Sequence, residues 1–191
     1  MQLTNRIALV TGAAGGIGSA VCRELAAQGA SVCLADLNST ASLAAELRTA
    51  GHMVMEVAAD VTSRTSIANT VSAVCERWGR LDVLVNVAGT VSLGTAADIT
   101  EIEWDRVLSV NLKGTFLACQ AVMAVMRAQR YGRIINIGSV LGKNGGNPRP
   151  WIDATEQKNA ANAAYGASKA GVHSLTFYLA KELAADGITV N

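Results

Sequence analysis

The feature that most constrains the fold is a repeated alternation of short apolar runs with longer amphipathic stretches. The apolar runs predict strands at residues 6–11, 31–36, 53–58, 81–85, 133–138 and 188–191. Helices are predicted from the first glycine-rich turn to about residue 28, and at 39–50, 63–78, 100–129 and 163–185. Because the runs are continuously apolar, the strands are predicted to be buried on both faces. The alternation therefore predicts an α/β fold: a doubly wound parallel sheet with helices on both faces and ligands at the carboxyl ends of its strands.

Length and charge narrow the class of protein further. The chain has 191 residues, which predicts one domain spanning residues 1–191 with a substantial core. Hydrophobic residues make up 50% of it and the formal net charge is +1, so the composition is too apolar and too weakly charged for disorder. Nucleic-acid and membrane-surface proteins need a basic excess, so the balance argues against both kinds of partner. We therefore expect a small-molecule ligand, with no nucleic acid and no membrane.

Targeting and metal signals are weak. No uncharged stretch exceeds 16 residues, so stretches such as 7–22 and 114–126 fall short of the ~18 residues that a spanning helix needs. The N-terminus has no basic region followed by an apolar one, so no secretory signal is predicted. The 4 cysteines are scattered and the chain has only 2 histidines, so we interpret the cysteines as reduced core residues and expect no metal site. These observations predict a cytoplasmic protein.

A glycine-rich turn joins the first predicted strand to the first predicted helix. It contains Gly12, Gly15, Gly16, Ile17 and Gly18. Glycine lets the backbone turn tightly and approach a pyrophosphate, and the helix N-terminus offers free N–H groups to phosphates. Glycine-rich turns also occur for compactness alone. The position of this turn in an α/β chain favours a dinucleotide site of the Rossmann type.

Two acidic residues follow the next two predicted strands. Asp36 ends the second strand, where a carboxylate can accept hydrogen bonds from an adenosine ribose and repel a 2′-phosphate. It therefore predicts NAD, with NADP less favoured; the alternative is a loop or helix-capping Asp. Asp60 follows the third strand and is placed to receive the adenine amino group, although an Asp before Val-Thr-Ser is also an ordinary turn residue.

Tyr165 and Lys169 lie four residues apart near the start of the last predicted helix, so both side chains lie on one helical face. An isolated tyrosine has a pKa of about 10, too high for a base at neutral pH, and a nearby ammonium lowers such a value. The pair is therefore a candidate acid/base device for a hydroxyl proton. The alternative interpretation is a packed ring beside a solvated amine.

From residue 6 to residue 191 the chain resembles the short-chain dehydrogenase/reductase family. The resemblance rests on motifs in the right order: the T-G-x-x-x-G-x-G turn at 11–18, Asp60, N-V-A-G at 86–89 in place of N-N-A-G, Asn111 in V-N-L-K-G, Ser139 after the fifth strand, and Y-x-x-x-K at Tyr165 and Lys169. Val87, at the second position of N-V-A-G, lacks the polar side chain that the family's motif has there.

The resemblance implies a four-residue catalytic site. Tyr165 would be the general acid/base, Lys169 would lower its pKa and bind the nicotinamide ribose, Ser139 would orient the substrate oxygen, and Asn111 would support a proton relay through water. The residues assigned to the cofactor are Gly12, Gly15, Gly16, Ile17, Gly18, Asp36, Leu37, Asp60, Val61, Asn86, Ala88, Gly89, Tyr165 and Lys169. Asn86 is expected to brace strands around the cofactor. A strand-end cap for Ser139 and a solvent-facing side chain for Asn111 remain as alternatives.

The chain departs from the family in two places. Ser139 and Tyr165 are 26 residues apart, which predicts an insertion at about 147–160 within a polar loop at 143–162. We expect this loop beside the substrate pocket, with Trp151 as an apolar wall and Arg149 or Lys158 for an anionic or hydroxylated group; the alternatives are a surface excursion or a subunit contact. Family members also usually continue past the sixth strand, so the domain is expected to be incomplete at its C-terminus.

These observations predict an NAD(H)-dependent oxidoreductase that interconverts a secondary alcohol and a ketone by hydride transfer. A 3-oxoacyl thioester reductase of the same family is the main alternative. A dinucleotide-binding module without turnover is the alternative from another class. The resemblance further implies a homodimer or homotetramer for the complete protein.

Overall fold

A computed structural model of the chain describes residues 2–92, 94–145, 149–160 and 162–191. Its six strands form a single sheet, in which every paired strand is parallel and the order is β3-β2-β1-β4-β5-β6. The strands are β1 (Ile7–Thr11), β2 (Ser31–Asp36), β3 (Val54–Ala58), β4 (Val83–Asn86), β5 (Gly132–Asn136) and β6 (Ile188–Val190). The predicted doubly wound parallel sheet is confirmed.

Helices connect the strands. They are α1 (Gly16–Ala27), α2 (Ala41–Thr49), α3 (Arg64–Trp78), α4 (Glu101–Leu108), α5 (Gly114–Gln129), α6 (Leu141–Asn144), α7 (Ala154–Ala160) and α8 (Ala163–Leu183). A π-helical segment (Ser109–Lys113) joins α4 to α5, and a 3-10 turn (Ala184–Asp186) follows α8.

The core consists of two layers, one on each face of the sheet. On one face, strand residues such as Leu9, Leu84 and Ile134 pack against α3, α5 and α8. On the other face, alternate residues such as Val10 and Leu34 pack against α1 and α2. Successive side chains of one strand thus enter different layers, because strand side chains alternate in direction.

The prediction that every strand is buried on both faces is wrong for the outer strands. The residues of β3, at one edge of the sheet, are half-buried or exposed, and Ile135 of β5 is 38% exposed. The layer formed with α1 and α2 reaches β4 through Val83 and Val85 and includes no residue of β5 or β6. Continuous apolar sequence therefore indicates a parallel strand but does not guarantee a helix over each of its faces.

The prediction that residues 143–162 form a loop is also wrong in part, because α7 lies within this stretch. Asp153 Oδ1 accepts a hydrogen bond from Glu156 N (2.8 Å), and Glu156 Oε2 accepts one from Ile152 N (2.7 Å). Asp153 thus caps α7 with its side chain, while the Glu156 carboxylate reaches back to the N–H one residue before the cap, and the D-A-T-E spacing in the sequence is a signature of such a helix start. Residues 146–148 and 161 of the predicted loop lie outside the described residues.

The long helix predicted at 100–129 begins as expected and is then interrupted. Thr100 Oγ1 accepts a hydrogen bond from Glu103 N (3.2 Å) and caps the helix at its predicted start, but the π-helical segment divides the helix in two. In the described part of the chain, Glu101–Gln129 is the one helical stretch long and apolar enough to cross a membrane. Its Leu117, Val122 and Met126 are buried in the layer with α3 and α8, which is the packing of a core helix.

A buried carboxylate ties the amino ends of β1 and β4 together. The side chain of Asp82 is 0% exposed and accepts hydrogen bonds from Ile7 N (2.9 Å), Arg6 Nη1 (3.0 Å) and the Arg80 Nε and Nη2 atoms (2.9 and 2.6 Å). Burial alone would raise the pKa of Asp82, but these donors outweigh burial and hold the pKa below its ordinary value.

Replacing Asp82 by Asn is expected to lower the free energy of unfolding by roughly 2–3 kcal/mol, because hydrogen bonds to a buried charge are lost. The matched control is Glu46→Gln, which breaks an exposed ion pair with Arg23 and should cost clearly less, because solvent screens such a pair. Urea unfolding of the three proteins at neutral pH measures both values. Because the folded pKa of Asp82 is depressed, its stabilisation should be lost as pH falls below about 4. Equal costs for the two variants would contradict this role.

Candidate active site

A cleft of about 670 Å³ opens at the carboxyl ends of the strands. It lies where the chain order of the sheet reverses, since β1 pairs with β2 on one side and with β4 on the other. Ligands of open α/β sheets bind at this switch point. The cleft is lined by Gly12, Gly15, Gly16, Ile17, Gly18, Asp36, Leu37, Asn38, Ala59, Asp60, Val61, Thr62, Val87, Ala88, Gly89, Thr90 and Val110.

The glycine turn has the shape of a phosphate cradle. A Cβ on Gly18 would lie 2.0 Å from the Gly12 carbonyl oxygen, so glycine is needed there for the turn to close. A Cβ on Gly16 would have no heavy atom within 4 Å, so the protein itself leaves this space open. No side chain caps the N-terminus of α1 and no acidic residue lies in its first turn. Its free N–H groups therefore fit a pyrophosphate.

Asp36 is held beside this turn. Its carboxylate accepts hydrogen bonds from Ala14 N (3.0 Å) and Asn38 N (2.8 Å), so it links the end of β2 to the glycine turn. Asp60, which follows β3 and also lines the cleft, accepts hydrogen bonds from the backbone N and the hydroxyl of Thr62, as a turn residue does. Among the described residues that line the cleft these two carboxylates are the only charged groups.

Asn86 does not line the cleft, so its assignment as a cofactor contact stays a prediction, whereas its expected role as a brace between strands is seen directly. Its side-chain amide is buried and donates to Asn136 Oδ1 (2.9 Å), which pairs the ends of β4 and β5. Asn136 in turn donates to the Thr176 hydroxyl of α8 (2.9 Å). Asn86 therefore braces the strands beside the cleft, whereas the apolar Val87 lines it.

Asn111 lies in the π-helical segment and is 0% exposed, which excludes a solvent-facing side chain. Its Oδ1 accepts a hydrogen bond from Thr90 N (2.7 Å), and its Nδ2 donates to Thr90 O and to the Ser168 hydroxyl (both 2.9 Å). Both amide hydrogens are therefore used. The Asn111 side chain locks the loop after β4 to the helix that carries Tyr165; the water relay assigned to Asn111 stays a prediction.

Lys169 is 5% exposed, so the alternative of a solvated amine is excluded. Its Nζ donates to the Ile137 carbonyl oxygen (2.6 Å) and lies 5.8 Å from the centre of the Tyr165 ring. Burial lowers the pKa of Lys169 from its ordinary value. A Cβ on Gly89, at the end of the cleft, would lie 3.8 Å from Lys169 Nζ and 3.4 Å from Asn111 Oδ1. Two of the four predicted catalytic residues, Asn111 and Lys169, therefore lie beside a residue of the cleft, whereas none of the four lines the cleft itself.

Ser139 lies in the turn between β5 and α6. Its hydroxyl oxygen accepts a hydrogen bond from Leu141 N (3.2 Å). Ser139 therefore caps the turn after β5, as the alternative interpretation of a strand-end cap expects. That contact uses a lone pair and leaves the O–H proton free to be donated. Capping and orienting a substrate oxygen are therefore compatible roles for the same hydroxyl.

Several residues around the site were not singled out from the sequence. Thr90 and Ser168 hold Asn111, and His173 Nε2 accepts a hydrogen bond from Ser139 N (3.3 Å). Arg106 donates to the Thr90 hydroxyl (2.8 Å) and to Val91 O (3.1 Å). The i, i+4 spacing of Lys169 and His173 was the one available signal, since it places both on one face of α8.

The polar stretch before α8 contains the residues proposed to face the substrate. The Arg149 guanidinium forms a bidentate pair with Glu156 (3.0 and 2.7 Å), and this pair holds the pKa of Glu156 down to about 2. Arg149 is thus engaged with α7, while Lys158 is exposed and Trp151 is half-buried. An isolated parallel bridge from Asn162 to Gly94 ties the end of this stretch to the loop after β4.

The fold and the cleft together define a dinucleotide-binding α/β protein. The chain matches the short chain dehydrogenase family over residues 6–151 and 152–191. It is 37% identical to the (2S)-[(R)-hydroxy(phenyl)methyl]succinyl-CoA dehydrogenase subunit BbsD of Thauera aromatica, covering 100% of this chain and 72% of that subunit. It is 38% identical to the 3-oxoacyl-[acyl-carrier-protein] reductase FabG of Thermotoga maritima, covering 100% of this chain and 73% of that protein.

Solved structures agree. An NAD+-bound xylitol dehydrogenase superposes with a TM-score of 0.90 at 34% identity, covering 100% of this chain and 70% of that one. The chain therefore belongs to the short-chain dehydrogenase family of NAD(P)-dependent oxidoreductases, which act on small molecules, and the resemblance drawn from its motifs is confirmed.

Proposed function

We propose that this protein is a cytoplasmic NAD(H)-dependent oxidoreductase that interconverts a secondary alcohol and a ketone, with Tyr165 as the general acid/base. The observation that carries the proposal is the position of two predicted catalytic side chains beside Gly89, which lines the cleft. There, Lys169 Nζ and Asn111 Oδ1 lie against Gly89, and Tyr165 lies one helical turn before Lys169. A dinucleotide lying along the cleft would end at these side chains. From the resemblance, the proposal includes a homodimer or homotetramer for the complete protein.

The cofactor residues fit NAD. The open space over Gly16 and the uncapped start of α1 would receive the pyrophosphate, and the Asp36 carboxylate would accept the ribose hydroxyls. A 2′-phosphate would meet Asp36 and Asp60 with no Lys or Arg among the described cleft-lining residues. When bound, the nicotinamide ring supplies hydride transfer.

The protein's own residues handle the proton. In alcohol oxidation, the Tyr165 phenolate would take the hydroxyl proton of the substrate, while the Lys169 ammonium stabilises the phenolate. The Ser139 hydroxyl would donate to the substrate oxygen and hold it in place. In ketone reduction the same groups act in reverse, with Tyr165 as the acid.

The proposal is tested with protein expressed from its complete reading frame. We expect NAD-dependent absorbance at the NADH band with at least one secondary alcohol of a panel of polyols, hydroxysteroids and hydroxyacyl thioesters. NADH binding is followed in parallel by fluorescence. Binding without turnover on any substrate would instead support a dinucleotide-binding module. Turnover confined to 3-oxoacyl thioesters with NADPH would instead support the thioester reductase. The similarity of this chain to the T. maritima reductase makes that alternative worth testing.

A further inference from the structure

Helix α8 reaches the turn after β5 with two side chains. Lys169 Nζ donates to the Ile137 carbonyl oxygen, and His173 Nε2 accepts a hydrogen bond from Ser139 N (3.3 Å). The two residues lie four apart on one face of α8. Two hydrogen bonds from α8, the helix that carries Tyr165, therefore hold the backbone at Ile137 and at Ser139.

The imidazole of His173 is fitted closely to this turn. A Cβ on Gly138 would lie 2.5 Å from His173 Nε2 and 2.9 Å from Cδ2, so glycine at this position leaves the space that the ring occupies. His173 is half-buried, and α6, which follows Ser139, packs against α8. The ring therefore lies against the turn with Nε2 at the Ser139 amide.

We propose that His173 is a positioning residue, which holds Ser139 in place by accepting the hydrogen bond of its backbone N–H. A backbone N–H can only donate, so Nε2 must be unprotonated and the ring proton must lie on Nδ1. This proposal rests on the proposed function, in which the Ser139 hydroxyl donates to the substrate oxygen. It adds a residue that touches neither substrate nor cofactor and acts through Ser139.

The contact matters because the Ser139 hydroxyl has one fixed partner, Leu141 N, in the same short turn. If the Ser139 amide loses its acceptor, the turn can shift and carry the hydroxyl with it. Displacements of about 1 Å in a positioned reactant can cost as much as 10²-fold in rate. The glycine turn and Asp36 lie elsewhere in the cleft, so cofactor binding should not change.

Two substitutions of His173 distinguish the loss of its hydrogen-bond acceptor from the loss of its imidazole ring. His173→Leu removes the acceptor, and His173→Gln retains an oxygen near the position of Nε2. At saturating NAD we expect His173→Leu to lower kcat roughly 10- to 100-fold, with NADH affinity within about threefold of the parent. His173→Gln should recover kcat to within about fivefold of the parent. Normal kcat in the Leu variant, or an equal loss in a folded Gln variant, would overturn the proposal.

A double substitution tests whether His173 acts through Ser139. In a Ser139→Ala background, His173→Leu should lower kcat by less than about twofold further, because residues acting as one unit are not additive. A full multiplicative loss would show that His173 acts independently of the Ser139 hydroxyl. If Ser139→Ala alone has normal activity, the proposed function fails instead.

The contact is also tested without activity. In the unsubstituted protein, ¹⁵N NMR should show an unprotonated Nε2 and a protonated Nδ1 for His173, and hydrogen exchange at the Ser139 amide should accelerate in the Leu variant but not in the Gln variant. A proton on Nε2 would overturn the proposal even if the enzyme's substrate were never found.

Discussion

Tyr165→Phe is expected to lower kcat roughly 10³-fold, within the range that general acid/base groups contribute. The phenyl ring keeps the packing of the tyrosine beside Lys169, whose Nζ lies 5.8 Å from the ring centre, and loses only the hydroxyl. NADH affinity should therefore stay within about threefold of the parent value, because the lost interaction belongs to proton transfer. Steady-state rates at saturating NAD and fluorescence titration with NADH measure the two quantities.

The chain offers a matched control on the same helix. Tyr178 is 64% exposed on α8, so Tyr178→Phe removes a hydroxyl from the same element without touching the cleft. It should leave kcat and NADH affinity unchanged. If Tyr165→Phe and Tyr178→Phe retained the same rate, Tyr165 would not be the acid/base and the proposed mechanism would fail.

Asp36→Ala is expected to lower the preference for NAD over NADP, measured as the ratio of their kcat/KM values, by roughly 10²-fold or more. The reason is that an unpaired like charge beside a phosphate costs several kcal/mol, and the substitution removes that charge. The substitution removes the ribose acceptor for NAD and the repulsion of the 2′-phosphate at the same time. It also removes the bond from Ala14 N, so the affinity for both cofactors can fall. The ratio of the kcat/KM values for NAD and NADP is the quantity to measure.

Asn38→Ala is the control for this experiment. Asn38 lines the same part of the cleft and donates to Asp36 through its backbone N and its side chain, but it carries no charge. Its removal leaves the Asp36 carboxylate in place, so the cofactor ratio should stay within about threefold of the parent. An unaltered ratio in Asp36→Ala would remove the argument for NAD, whatever the control shows.

Most of the fold follows from local sequence. The second strand was predicted with the observed bounds, and α3 and α4 follow the N-caps Ser63 and Thr100, where helices were predicted to start. Local rules missed α7 because it is short and polar, although the D-A-T-E spacing that starts it was present in the sequence. They also missed the π-helical segment at Asn111, since an extra residue in a helical turn leaves no periodic signal over so few residues.

The candidate site also contains features that follow from local sequence and features that do not. The glycine turn, Asp36, Asp60 and the Tyr165–Lys169 spacing are local patterns, and the structure places the first three around one cleft. The bond between Asn111 and Ser168 joins residues 57 positions apart, and that between Ser139 and His173 joins residues 34 apart. No local pattern relates such pairs, because their contact depends on how α8 lies against the sheet.

The sequence by itself therefore determined the class of fold, and it predicted the glycine turn and the Tyr165–Lys169 pair, because each depends on residues close together in the chain. Only the tertiary structure decided that Asn111 and Lys169 are buried beside Gly89 of the cleft, that Asn86 pairs with Asn136, and that Arg149 pairs with Glu156. These facts depend on which elements pack together. Packing is a property of the whole chain, since each buried polar group takes whatever partner the assembled elements bring to it.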